Sequence, residues 1–138
     1  MLWDIFRLRQ DVFVLEQSCL YPDIDAIDLT AFHLYLSREG VVIAYARLYE
    51  KLAHQITIGR VVVAPEMRRS GLGHELMTRA LEKLKAQWPN HQQVTLSAQE
   101  HLQSFYQRCG FETVSEVYDE DGIPHVRMQL KRLSGVTD

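Results

Sequence analysis

Residues 58–88 constrain this chain more than any other stretch. Val61, Val62 and Val63 form an unbroken β-branched run, the pattern of a strand covered on both faces. Pro65 ends the run because proline has no N–H to give to a ladder. A short basic loop follows, Arg68-Arg69-Ser70-Gly71-Leu72-Gly73. Beyond it, Leu72, Leu76, Ala80, Leu84 and Trp88, with Met77 and Leu81 alongside, recur at the 3.6-residue period of one helix face. The glycines therefore fall at a helix N-terminus, where the first four backbone N–H groups lack partners and the dipole is positive. Two readings are open at this point. The loop is a plain turn with two solvated arginines, or it is an anion site suited to a phosphate or pyrophosphate. It is not a P-loop, since no Gly-Lys-Ser/Thr follows. It is not a dinucleotide fingerprint either, since Leu76 stands where a third glycine would fall.

A chain of 138 residues suits one domain, residues 1–138, with a core of useful size. The net charge of −3 argues against a general nucleic-acid binder. No apolar run approaches the roughly 18 residues of a membrane span, and Asp4, Arg7, Arg9 and Asp11 interrupt the N-terminus where a signal peptide would be apolar. Cys19 and Cys109 make no metal-type spacing, and the six histidines are scattered, so no metal site is expected. Reduced thiols in a cytoplasmic protein are the expectation.

Taken in order, residues 2–17 read as a helix, with Leu2, Ile5, Phe6, Arg9, Val12 and Phe13 at helical spacing. Residues 18–30, with Asp23, Asp25 and Asp28, read as a loop: either a solvated acidic connector or a lip that attracts a cationic amine. A hairpin is expected from residues 32–37 and 41–50 around Arg38-Glu39-Gly40, with one of its faces on helices and the other bordering a groove. Residues 94–98 read as a short strand, 99–109 as a second helix with Gly110 as its C-terminal cap, and 111–118 and 125–130 as strands. The tail from Ser134 is small and polar and expected to fray. Helices interleaved with hairpins give a mixed α/β sheet.

Arg68-Arg69-Ser70-Gly71-Leu72-Gly73 after a valine strand, and Phe105-Tyr106 followed by Gly110-Phe111, resemble two signatures of the GNAT acetyltransferases. Further segments are similar to its ElaA-type branch: residues 8–17, 45–48, 58–61, 98–103 and 120–125. The resemblance implies the GNAT acyl-CoA N-acyltransferase fold, a central mixed sheet flanked by helices. It implies acetyl-CoA as donor and an amine, on a small molecule or peptide, as acceptor. Residues 69 to 74 (Arg69, Ser70, Gly71, Leu72, Gly73 and His74), with Arg68 beside them, would hold the pyrophosphate. Val61, Val62 and Val63 would offer main-chain bonds to the pantetheine arm, across a gap where this strand splays from residues 94–98. Gly59 would mark a bulge starting the splay. Gln99 stands where many members carry an asparagine that contacts the cofactor. Tyr106 is the expected general acid, although an aromatic on an apolar helix face is ordinarily core. No general base is assigned; Glu16, His33, His101, His125 and a water chain are candidates. Family members carry a strand ahead of the first helix, so either that strand is missing here or residues ahead of Met1 lie outside this sequence; its absence would leave a sheet edge and room for a homodimer. The alternative is a non-catalytic CoA-binding sensor or partner module.

Overall fold

The computed structural model describes residues 1–18 and 21–131; Cys19 and the tail from Ser134 lie outside them. The valine run is the end of β3 (Gln55–Val63), which follows the hairpin of β1 (Phe32–Arg38) and β2 (Val41–Leu52). The basic loop leads into α2 (Leu72–Gln87). Then come β4 (Gln93–Gln99), a short 3₁₀ turn, α3 (Gln103–Arg108), β5 (Phe111–Thr113), β6 (Tyr118–Glu120) and β7 (Ile123–Leu130). The sheet runs β1-β2-β3-β4-β7-β5, with β6 also on β7. Among the described residues only β3 and β4 pair in parallel, as a crossover through α2 demands.

Two cores form, one on each sheet face. Leu76, Met77, Ala80 and Leu84 of α2 pack on Ile56, Ile58, Val94, Leu96, Val126 and Met128. On the other face, Ile5, Leu8 and Val12 pack on Val42, Tyr45, Val62 and Ala64. β2 is therefore buried on both faces from Val42 to Leu48, and neither borders an open groove as the alternation alone suggested. The first helix also departs from expectation. It is α-helical as α1 (Leu2–Arg9) and continues as a π-helical segment, Gln10–Glu16, a form found frequently at functional sites. The expected strand over 111–118 is broken into β5 and β6. Between them Val114 and Ser115 still bond to Arg127 on β7, but through one backbone and one side-chain bond rather than a regular ladder. Gly110 caps α3 at φ +100°, as its position after the helix predicts.

Candidate active site

The site begins with a defect in β3. Tyr45 pairs with Val62 and Arg47 with Gly59, so Arg60 and Val61 together oppose Ala46. That is a β-bulge one residue beyond Gly59, and Arg60 takes it up at φ +50°. The extra residue reverses the side-chain alternation. Ile56 and Ile58 face α2 before it; Val61 and Val63 pack toward α2 after it, and Val62 turns to α1. In the same region β3 parts from β4. Their ladder covers only Gln55–Gln93, Ile56–Val94 and Thr57–Thr95, and no pair is formed beyond Thr57 among the described residues. The β4-facing backbone edge of β3 then opens on a cleft.

The cleft has a volume of about 1230 Å³. Val61, Val62 and Val63 form one wall, Gln99 and Tyr106 another, and Arg68, Arg69, Gly71, Gly73 and His74 its far end. Gly71 is the N-cap of α2 at φ +84°, and no side chain caps the helix, which leaves its first N–H groups directed outward. Gly73 is glycine for space: a Cβ there would stand 3.2 Å from the Phe105 ring. Ser70 and Leu72 do not line the cleft. The Ser70 hydroxyl donates to the Met67 carbonyl, and Leu72 packs on the α2 core. The two arginines differ. Arg68 is a strap, donating to both carboxylate oxygens of Glu16 at 2.7 and 3.0 Å and to the Val63 carbonyl at 3.2 Å. Arg69 has no such tie among the described residues, and sits at φ +66°.

Tyr106 lies where this cleft meets a smaller cavity of about 100 Å³. Its ring is held edge-on by Phe105 and Phe111, with centroids 5.0 and 6.4 Å away. Only 6% of the residue is exposed, and burial pushes its phenol well above the usual tyrosine range, so it keeps its proton. The smaller cavity adds Arg60, Ser97, Glu120, Asp121 and His125. Of the base candidates, His125 lines this cavity, and His101 lines the large cleft. Glu16 is engaged by Arg68. His33 belongs to neither: its Nδ1 bonds the Tyr45 hydroxyl and its Nε2 the Asp28 carbonyl.

The aspartates of the acidic loop turn inward. The Asp23 and Asp28 side chains are buried, and the three aspartates are matched by three arginines from three different elements. Arg9 of α1 meets Asp28 at 2.7 Å and Asp23 at 3.1 Å; Arg47 of β2 meets Asp25 at 2.7 Å and Asp28 at 3.0 Å. Arg60, re-aimed by the bulge, meets Asp23 at 2.9 Å. Burial alone would raise the Asp28 carboxyl; hydrogen bonds from Arg9, the Asp25 amide and Arg47 override it and hold the group at about 2. Sequence reading missed this cluster. The signal was there: arginines at 9, 47 and 60 interrupt apolar faces, and a buried arginine needs a partner.

A mixed sheet split beside its central strand, with a helix N-terminus at one end of the split and a buried tyrosine at the other, is the architecture of acyl-CoA N-acyltransferases. Residues 11–132 match the Acetyltransferase (GNAT) domain, and the chain belongs to that acyl-CoA-dependent family. A UPF0039 protein of Schizosaccharomyces pombe is 47% identical over 131 residues, covering 94% of this chain and 87% of its own. Protein ElaA of Escherichia coli is 44% identical over 131 residues, 92% of this chain and 85% of its own. The ElaA crystal structure superposes with a TM-score of 0.88 over 94% of this chain and 89% of that one. An acyl-CoA N-acyltransferase from Pseudomonas aeruginosa superposes at 0.87 with 45% identity, over 94% and 89% of the two chains. No helix of the described residues is long and apolar enough to cross a membrane.

Proposed function

We propose that this chain is an acetyl-CoA-dependent N-acetyltransferase that acts on a primary amine by direct attack. The observation that carries it is the parting of β3 from β4 after Thr57, because it brings a free strand edge, the α2 N-terminus and Tyr106 into one cleft. In this reading the donor is a substrate. Its pyrophosphate lies against the N–H groups of residues 69–74, with Arg69 as the untied cation nearby. Its pantetheine amides complete the ladder that β3 leaves open at Val61, Val62 and Val63; the Val63 carbonyl is already shared with Arg68. Gln99, at the end of β4, offers an amide to the same arm.

The amine must be neutral to attack. A lysine-like amine of pKa about 10.4 is deprotonated to about one part in a few thousand at pH 7, a deficit of about 4–5 kcal/mol. The tetrahedral oxyanion takes a hydrogen bond from a backbone N–H near Val61. Tyr106, held protonated by burial, gives its proton to the departing thiolate. Free-thiol release from acetyl-CoA with a panel of amines tests the reading. Amine-dependent release supports an enzyme; tight CoA binding with no release by any amine leaves a sensor module instead.

A further inference from the structure

The small cavity beyond Tyr106 is walled by groups that the proposed chemistry leaves unused. Gln99 lies opposite His125 across one ladder and Tyr118 opposite His125 across the next, so Ser97, Gln99, Tyr118, Glu120 and His125 share one sheet face. His125 is 7% exposed. Its Nδ1 is 2.8 Å from the Ile123 carbonyl oxygen, which can only accept, so Nδ1 carries a hydrogen. Nε2 is then the nitrogen that gains or loses the second proton, and it lies 3.4 Å from Glu120 Oε2. The other Glu120 oxygen accepts from the Ser97 hydroxyl at 2.9 Å, and Ser97 accepts in turn from the Tyr118 hydroxyl. The Tyr118 ring stacks on the imidazole, centroids 6.3 Å apart. Tautomer, ring plane and carboxylate are thus fixed together.

From these contacts we infer that His125 is the group that takes the proton from the acceptor's ammonium, with Glu120 drawing that ammonium in and stabilising the imidazolium. The inference rests on the acetyltransferase reading of the cleft. The charged and titratable groups around His125 are Glu120 and Tyr118 of β6, Asp121 of the turn, Arg60 of β3, Tyr21, Tyr106 of α3, and Arg127 two residues along its own strand and opposite Ser97. Arg60 is already matched by Asp23 and Asp25, and the Glu120 carboxylate beside Nε2 is the group that meets a cation there. The proton balance closes. Nε2 takes one proton from R–NH₃⁺, and the free amine attacks the thioester carbon. As the C–S bond breaks, the thiolate takes the Tyr106 proton and the new amide nitrogen returns one to Tyr106. His125 then releases its proton to solvent.

The test measures thiol release on butylamine, 1,4-diaminobutane and a lysine peptide from pH 6 to 10, with calorimetry of acetyl-CoA binding. Wild-type kcat/KM for the amine rises with pH along a limb that His125→Gln loses. His125→Gln falls about 10²-fold at pH 7 and recovers toward wild type at high pH, where the amine deprotonates itself. A merely structural histidine would not give that recovery. Glu120→Gln, on a side chain 44% exposed and so safe for folding, raises the amine KM at least tenfold and leaves the acetyl-CoA KM unchanged. Failure of wild-type protein to bind acetyl-CoA, or binding without turnover of any amine, would overturn the underlying reading. With wild-type turnover present, a His125→Gln enzyme that keeps the limb, or an unchanged amine KM in Glu120→Gln, would overturn the proton-transfer role alone.

Discussion

Asp28→Asn tests how the ion-pair cluster supports the fold. Asparagine has the shape of a protonated aspartic acid, so the substitution mimics neutralising Asp28 in place. The carboxyl's fall from its ordinary 3.8 to about 2 corresponds to about 2.5 kcal/mol at pH 7. Because the folded value is the lower one, that stability is complete above pH 5 and drains away as pH falls through 2. At pH 3 about half remains. The variant also leaves Arg9, Arg47 and Arg60 facing two carboxylates rather than three, and breaking a buried pair costs about 3–5 kcal/mol. Urea unfolding should therefore show a loss of about 2.5–4 kcal/mol at pH 7 that shrinks by at least 1 kcal/mol at pH 3. A loss below 1 kcal/mol at pH 7, or the same loss at both pH values, would refute the reasoning.

Tyr106→Phe should lower kcat about 10²-fold with acetyl-CoA affinity intact, read by thiol release and calorimetry; unchanged turnover removes the phenol from the reaction. Gly71→Ala places a Cβ at φ +84° in open space, so it should cost about 1–2 kcal/mol of stability from backbone strain alone. Gly73→Ala must push the Phe105 ring, and calorimetry should show weaker acetyl-CoA binding than in Gly71→Ala. Glu16→Gln breaks an exposed pair and should cost less than about 1 kcal/mol at neutral pH. The Arg68 hydrogen bond holds the Glu16 carboxyl below its usual range, so this contribution is present above that range and lost as pH falls below it. The freed Arg68 should tighten CoA binding severalfold at low salt.

Local patterns carried much of the fold. The valine run, the period of residues 72–88 and the Gly110 cap each report interactions within a few residues, and each stands where the sequence put it. The splay was expected from family resemblance and is visible as a ladder that stops at Thr57. Its bulge was misplaced by one residue. Gly59 was the plausible site because glycine adopts positive φ freely, yet Arg60 bears the strained angle, held by Asp23 and Asp25. The aspartates were misread for a similar reason. Their partners are 14 to 37 residues away, and no window along the chain couples Asp23 to Arg9 or Arg60. The Ser97–Glu120–His125 grouping is set by register across three strands, a property that the order of residues does not display.

The doubled residue in β3 has one more implication, for how the strand tolerates change in length. Upstream of it the even-numbered positions answer to the α2 layer; downstream the odd ones do. Excising a single amino acid between Gly59 and Val62 would restore a uniform rhythm and leave Tyr45 opposite Val62, so Val62 would still face α1 and Val63 would still face α2. Whichever of the two residues is removed, the Arg60 guanidinium is taken away from its carboxylates. The two packed layers therefore survive the shortening, and its cost falls on the aspartate loop that Arg60 holds.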